Sequence, residues 1–487
     1  MGHPWPMSVC DLPQLRRAEE TDRHDGGPES PVEWSADRSN MPATVRSCSL
    51  GHVVAQDVRG TAADDVVREG NVVLVDEARR AGDSVLLARR SPDDQQRSVG
   101  GDTGSLRLSK FHAPEIVFGP NSLPEAAHAA VRLGARRPFV VTDPGLTEAG
   151  WPSELLVQLR EAGLSPVVWT DVTPNPKDHE IEAGHERYVE AGCDVVLGIG
   201  GGSVIDAAKG IALLAANGGR ILDYEGIDRI EHPIPPLIMM PSTSGTGADV
   251  SQFCIVTDTE RHTKITIMGR ALVPDVSVID PRLLVTMPDA LNAATGLDAL
   301  THGIEAYVSL AHGPLTDHHA LQAISLVNGN LARTIHAPRD TGARSFMAQA
   351  ALEAGLAFTN AILGATHAMS HQVGGMLDLP HGVVNGVLLP HVIRFNGAEL
   401  PERFVPIAQA MGVHVAGMPA LEAVERVAEE VRKLGDEVGV PRGLGALGVT
   451  VEDIPRLSEL TLGDACLTTN PRATSVHDVE TLFRAAL

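Results

Sequence analysis

The chain has 487 residues, 43% apolar and 21% charged, which suits two or three folded domains of about 150 residues each and excludes wholesale disorder. Its 62 acidic residues outnumber 39 basic ones, and the net charge of −23 argues against a nucleic acid or an anionic membrane as the main partner. Five scattered cysteines without CxxC spacing exclude a disulfide scaffold and a cysteine zinc module. With no bilayer-length apolar run and no signal-like N-terminus, the expectation is a soluble, cytoplasmic protein.

Residues 1–104 differ from the rest. They lack lysine and carry Pro, Ser, Gly and Asp clusters such as RHDGGPESPVEWSADRSN, so a disordered extension ending in a linker at Ser98–Gly104 is expected. From residue 105 the texture changes. Short β-rich runs at Arg137–Thr142, Ser165–Thr170, Asp194–Ile199 and Pro236–Met240 alternate with helical stretches at Ser122–Gly134, Pro152–Gly163, Asp178–Gly192 and Val204–Ala216. That alternation predicts βαβ units and a parallel sheet. After about Asp289 the strand signals stop. Helical apolar spacing runs through Ala290–Leu310, Thr316–Thr334, Ser345–Leu363, Leu400–Met411 and Ala420–Val438. The fold expected is thus an α/β domain with a parallel sheet over 105–289 and an all-α domain over 290–487, with the site in the cleft between them.

Two loops carry the nucleotide signal. A buried strand runs into Gly200-Gly201-Gly202-Ser203 and then a helix, whose N-terminus offers free N–H groups to phosphate. Asp206, in its first turn, suits the helix dipole. A second small, polar loop, Pro241 to Gly247, follows the next strand and holds Ser242, Thr243 and Thr246. The first loop alone is equally a tight strand–helix turn, and it is not GxGxxG. Two such loops at strand C-terminal ends mark where ligands sit in open α/β sheets.

A histidine and carboxylate constellation follows. Asp298 and His302 are four residues apart, so on a helix they share one face, about 6 Å apart along the axis. His367 and His371 repeat that spacing, and His381 sits in an expected loop between Pro380 and Gly382. Either pair alone has a bland reading, a surface ion pair or a chance HxxxH. Together they fit a divalent site of imidazoles and one carboxylate suited to Fe(II) or Zn(II). Five other histidines, His312, His318, His319, His336 and His391, lack partners at useful spacing and are expected to be ordinary surface or hydrogen-bonding groups.

The segments GGGSVIDAAKG, PSTSGTGADVSQF, PDVSVIDP, ATGLDALTHGIEAYVS, LGATHAMSHQVGG and LPHGVVNGVLLPHV occur in one order from about Leu108 to the C-terminus, followed by ACLTTNPR. In these the chain resembles the group III, iron-containing alcohol dehydrogenases. The resemblance implies a dehydroquinate synthase-like architecture, a Rossmann-like α/β nucleotide-binding domain over 105–289 followed by an all-α metal-binding domain over 290–487, with Asp298, His302, His367 and His381 as metal ligands and His371 as an added histidine beside the nicotinamide. It implies Gly201, Gly202 and Ser203 at the pyrophosphate, Ser242, Thr243 and Thr246 in the second cofactor loop, and Asn175 and Lys264 at cofactor contacts. Asp143 matches the acid that meets the adenosine ribose; a carboxylate there repels a 2′-phosphate and so favours NAD over NADP. The second loop reads Ser-Thr-Ser where the family usually has Thr-Thr-Ala, and residues 1–104 have no counterpart.

The implied chemistry is metal-assisted hydride transfer between a small alcohol or hydroxy acid and NAD, in a homo-oligomer of two or more copies, with Fe(II) or Zn(II) as the ion. Two alternatives remain at this point. One is transhydrogenation between a hydroxy acid and an oxo acid on the same scaffold. The other is a non-catalytic regulatory protein that uses the acidic extension to bind partners. An intact ligand set weighs against the second.

Overall fold

The computed structural model describes residues 110–487, so the disordered extension expected over 1–104, with its linker, lies outside the described residues. Six short strands form one parallel sheet: β1 (Glu115–Phe118), β2 (Pro138–Val141), β3 (Val167–Trp169), β4 (Val195–Gly200), β6 (Leu237–Pro241) and β9 (Val276–Ile279), in the order β1-β9-β6-β4-β2-β3. A period of two sends alternate side chains to opposite faces. Phe139, Val141, Val196, Leu237 and Met239 join one core cluster, while Val140, Val195, Leu197, Ile199, Ile238 and Met240 join another. Both faces are therefore covered, which is why these strands read as continuous apolar runs.

The covering helices in this part are α1 (Glu125–Arg132), α2 (Pro144–Ala149), α3 (Trp151–Glu161), α4 (Asp178–Ala191) and α5 (Gly202–Asn217). The runs expected as helices and strands thus form, with ends that differ by a few residues. A second, three-stranded sheet was not anticipated. It holds β5 (Gly226–Ile227), β7 (Phe253–Asp258) and β8 (Thr263–Met268), with β7 and β8 antiparallel through Phe253↔Met268 to Asp258↔Thr263.

From Asp289 onward the described residues contain helices and no strand. The long ones are α6 (Asp289–Val308), α7 (Pro314–His336), α8 (Thr341–Ala361), α9 (Ala365–Leu377) and α10 (His381–Gly397). They are followed by α11 (Phe404–Ala410), α12 (Ala420–Glu437), α13 (Ile454–Thr461) and α14 (Val476–Ala486). α6 is buried nearly all round, from Asn292 to Val308, and α8 and α9 are almost as enclosed. Among the described residues no single helix is long and apolar enough to cross a membrane.

Candidate active site

β4 and β6 are neighbours, paired Ile199↔Met240 and Gly200↔Pro241, so the two predicted loops leave the sheet side by side. The Ser242 N–H donates to the Gly200 carbonyl at 2.9 Å and ties them together. The glycines serve close approach rather than an unusual backbone angle. A Cβ on Gly202 would meet Thr246 Cγ2 at 2.8 Å, and one on Gly201 would meet Thr243 Cγ2 at 3.1 Å. Gly201 caps α5 without a side chain, which leaves the helix N–H groups for a ligand. The Thr243 hydroxyl is buried beside them with no hydrogen-bond partner.

Asp143 follows β2 and caps α2, with one carboxylate oxygen accepting from the Leu146 N–H at 2.8 Å. Asn175 takes a left-handed backbone at φ 56°, donates its N–H to Ser203 Oγ at 3.1 Å, and accepts from Lys264 Nζ at 2.8 Å. Burial lowers Lys264 to about 8, against the pull of Asp378, Asp298 and Asp206. Asp206 falls in the second turn of α5, past the first-turn place expected for it, and burial raises it to about 7, opposed chiefly by Lys209. All ten expected cofactor residues line one cleft of about 790 Å³, a usual size for a ligand site.

The same cleft reaches the histidines. His302 Nε2 lies 3.8 Å, His367 Nε2 3.6 Å and His381 Nε2 3.9 Å from Asp298 Oδ1. Donors about 2.1 Å from one tetrahedral ion are about 3.4 Å apart. Asp298, His367 and His381 offer ligand atoms that all lie within 4.8 Å of one another, a group that could hold one ion, while His302 faces the same Asp298 oxygen from outside that group. Each ring is turned so by its other nitrogen. His302 Nδ1 lies 3.2 Å from the Gly245 carbonyl, His367 Nδ1 2.6 Å from Glu305 Oε2, and His381 Nδ1 3.2 Å from Ser370 Oγ. Asn385 Nδ2 donates to Asp298 Oδ1 at 2.8 Å.

The electrostatics agree with a cation site. Burial opposes the charge of Asp298, yet His302, His381 and His367 hold it well below the usual carboxylate range. Burial brings His302 down to about 4 and His381 far below its ordinary value, so both offer neutral imidazoles, the form that binds metal. Burial also opposes charge on His367, but hydrogen bonds to Asp298 and Glu305 raise it to about 9. A positive charge, proton or metal, is thus favoured at its Nε2.

His371 stands apart from this set. Its Nδ1 is 2.8 Å from Asp464 Oδ2, and its ring stacks on His381 with centroids 5.1 Å apart. Of the four side chains expected to meet, Asp298, His367 and His381 thus form one close group, with His302 against Asp298 and His371 beside them. One expectation needs correcting. His381 is not in a loop; it is the first residue of α10. The flanking Pro380 turns the chain into the helix, and Gly382 lies so close to α6 that a Cβ would collide with the Ala294 carbonyl oxygen. The Pro and Gly signals were real, but they marked a helix start and a tight crossing. His312 and His319, as expected, make ordinary pairs with Asp317 and Glu353.

Four residues of the site were not singled out from sequence. Glu305 and Asp464 orient His367 and His371, and Asp378 meets Asn175. Lys209 is fully buried and donates to the Ser251 and Phe253 carbonyls at 2.8 Å each, pinning the chain that follows the second loop. Its place in the GGGSVIDAAKG segment was its sequence signal.

Known proteins bear on this geometry. Residues 113–281 match the family described as iron-containing alcohol dehydrogenase, and residues 292–487 match the C-terminal part of the same family. The chain is 40% identical over 385 residues to a 1,3-propanediol dehydrogenase of Klebsiella pneumoniae, covering 78% of this chain and 100% of that one. It is 38% identical over 377 residues to an NAD-dependent methanol dehydrogenase of Bacillus methanolicus, covering 77% and 99%. An alcohol dehydrogenase structure from Oenococcus oeni superposes with a TM-score of 0.76 at 35% identity, covering 78% of this chain and 100% of that one. The chain belongs to the iron-containing alcohol dehydrogenase family and is an oxidoreductase that interconverts alcohols with aldehydes or ketones.

Proposed function

We propose that this enzyme passes hydride between a small alcohol and NAD, with Fe(II), or Zn(II) in its place, on Asp298, His302, His367 and His381. The observation that carries this reading is the convergence of three oriented imidazole Nε2 atoms on the Asp298 carboxylate, in the same cleft as the glycine loop. In this reading residues 105–289 hold the cofactor and 290–487 hold the metal. The donor chemistry fits the ion, and the uncapped α5 N-terminus with the unpaired Thr243 hydroxyl fits a dinucleotide diphosphate.

When bound, the ion supplies Lewis-acid polarisation of the substrate oxygen and the nicotinamide supplies the hydride-accepting carbon. The chain's own residues do the rest. Gly201, Gly202 and Ser203, with Ser242, Thr243 and Thr246, grip the phosphates beside the buried Asp206, while Lys264 adds the nearby charge. Asp143 offers its uncommitted oxygen to the ribose, which favours NAD over NADP. Phe253, Phe358 and Leu363 form an apolar wall of the cleft and exclude water, with Phe358 stacked on His302 at 4.3 Å. His371 uses Nε2 to take the hydroxyl proton, because its Nδ1 is engaged by Asp464, which fixes the ring.

The proposal extends to a cytoplasmic homo-oligomer acting on small molecules. Its support is the family and the free state of Cys193, Cys254 and Cys466. The test is anaerobic purification, reconstitution with Fe(II) or Zn(II), and absorbance of reduced nicotinamide across alcohols, diols and hydroxy acids. Metal-dependent NADH formation that His302→Ala abolishes is expected. Turnover without added NAD would instead favour transhydrogenation.

A further inference from the structure

A chain of hydrogen bonds crosses the cleft between the sheet and the helices. Lys264 Nζ donates to Asn175 Oδ1 at 2.8 Å, and Asn175 Nδ2 donates to Asp378 Oδ1 at 2.5 Å. Lys264 lies on β8 and Asn175 on the loop after β3, whereas Asp378 ends α9, three residues before His381. All three line the cleft.

The amide in the middle has one good orientation. Turned over, its NH2 would face the Lys264 ammonium and its oxygen would face the Asp378 carboxylate, two repulsions in place of two hydrogen bonds. The backbone is fixed as well. Asn175 and Asp378 both hold left-handed conformations, at φ 56° and 50°, a region that Asn and Asp tolerate best among residues with a Cβ. The main chain of Asn175 is anchored on both sides, its N–H on Ser203 Oγ at 3.1 Å and its carbonyl on Thr257 Oγ1 at 3.2 Å. Ser203 belongs to the first turn of α5, so the Asn175 loop moves with the phosphate loop. The free end of this assembly is the side-chain amide, and Asp378 is what holds it.

We infer that Asp378 is a positioning residue for the cofactor groove: its carboxylate orients the Asn175 amide, and through it Lys264, toward the dinucleotide. This rests on the NAD reading above. The grip also ties the cofactor side of the cleft to the segment that delivers His381. What is required at 378 is a hydrogen-bond acceptor on a left-handed backbone, not a negative charge, so asparagine serves there and glycine does not.

Fluorescence titration of the full-length, metal-loaded chain with NADH tests this directly, without turnover. Asp378→Gly keeps the left-handed backbone and deletes the acceptor; about tenfold weaker NADH binding is expected, with circular dichroism and metal content unchanged. Asp378→Asn is expected within about twofold of wild type. Asn175→Ala is expected to match Asp378→Gly, with the double variant no weaker than either single one. A wild-type chain that binds no NADH overturns the cofactor reading and this inference with it. A wild type that binds, with Asp378→Gly equal to it, with Asp378→Asn as weak as Asp378→Gly, or with the two single losses adding in full, overturns the inference alone.

Discussion

Glu305 sits one turn beyond His302 on α6, yet its carboxylate serves a different helix: Oε2 lies 2.6 Å from His367 Nδ1 and Oε1 accepts the Thr366 N–H at 2.6 Å. The Gly364 N–H donates to the same carboxylate at 3.1 Å. One buried acid thereby caps α9 and fixes the face that His367 turns toward Asp298.

Replacing that acid separates its two duties. Glu305→Gln keeps an acceptor for the helix but cannot hold the imidazole as a carboxylate does, so metal affinity is expected to fall about 10- to 100-fold with the fold intact. Glu305→Ala also strands buried N–H groups and is expected to cost about 2–4 kcal/mol of stability. Metal content after dialysis reads the first effect, and denaturant unfolding the second.

Metal removal reads out as stability. If the ion binds the folded chain alone, saturating it at 100 times its dissociation constant adds about 2.7 kcal/mol. Thermal unfolding after chelation is expected at a lower midpoint, restored by Fe(II) or Zn(II). Asp298→Ala is expected to show no restoration.

The loop contact gives a paired prediction. Gly202→Ala places a methyl group 2.8 Å from Thr246 Cγ2 and forces the two phosphate loops apart, so NADH affinity is expected to drop at least tenfold while metal content stays constant. Thr246→Ser removes the offending methyl group. The double variant is therefore expected to recover part of the loss, as measured by NADH titration.

Asp206 makes the pH dependence specific. Its carboxyl is raised by burial to about 7, above an ordinary value near 4, so folding favours the protonated form. That contribution is full below the unfolded pKa and is lost as pH rises through about 7. Relative to wild type, Asp206→Asn is expected to gain stability between pH 5 and pH 8, by about 1.4 kcal/mol for each pH unit climbed before the folded carboxyl ionises. Urea unfolding at both pH values checks the sign.

What the sequence revealed and what it hid divide along sequence distance. The strand–glycine–helix unit at Val195–Asn217, the Asp298–His302 pair on α6 and the His367–His371 pair on α9 are local patterns, set by periods of two and 3.6 residues, and they were readable. Glu305 and Asp464 act on histidines 62 and 93 positions away, a relation that no local period carries. The β7–β8 pair was hidden for a different reason. Its inner residues Cys254, Val256, Ile265 and Ile267 pack into the core of the main sheet's neighbours, while the polar residues between them, Thr257, Asp258, Thr263 and Lys264, broke the apolar run. His381 shows a local signal read correctly as Pro-then-Gly but assigned to the wrong element, because the crossing with α6 that demands the glycine is a tertiary fact.

The contact between His302 Nδ1 and the Gly245 carbonyl means that a helix-borne ligand is aimed by a loop of the sheet. Gly245 is itself wedged against α6, where a Cβ would collide with the Thr295 carbonyl oxygen. A chimera that grafts the helical half of one relative onto the α/β half of another must therefore inherit both sides of this joint together. Recombination through residues 245–302 separates Gly245 from the His302 that it aims, and so disturbs the proposed seat of the ion before it changes the substrate.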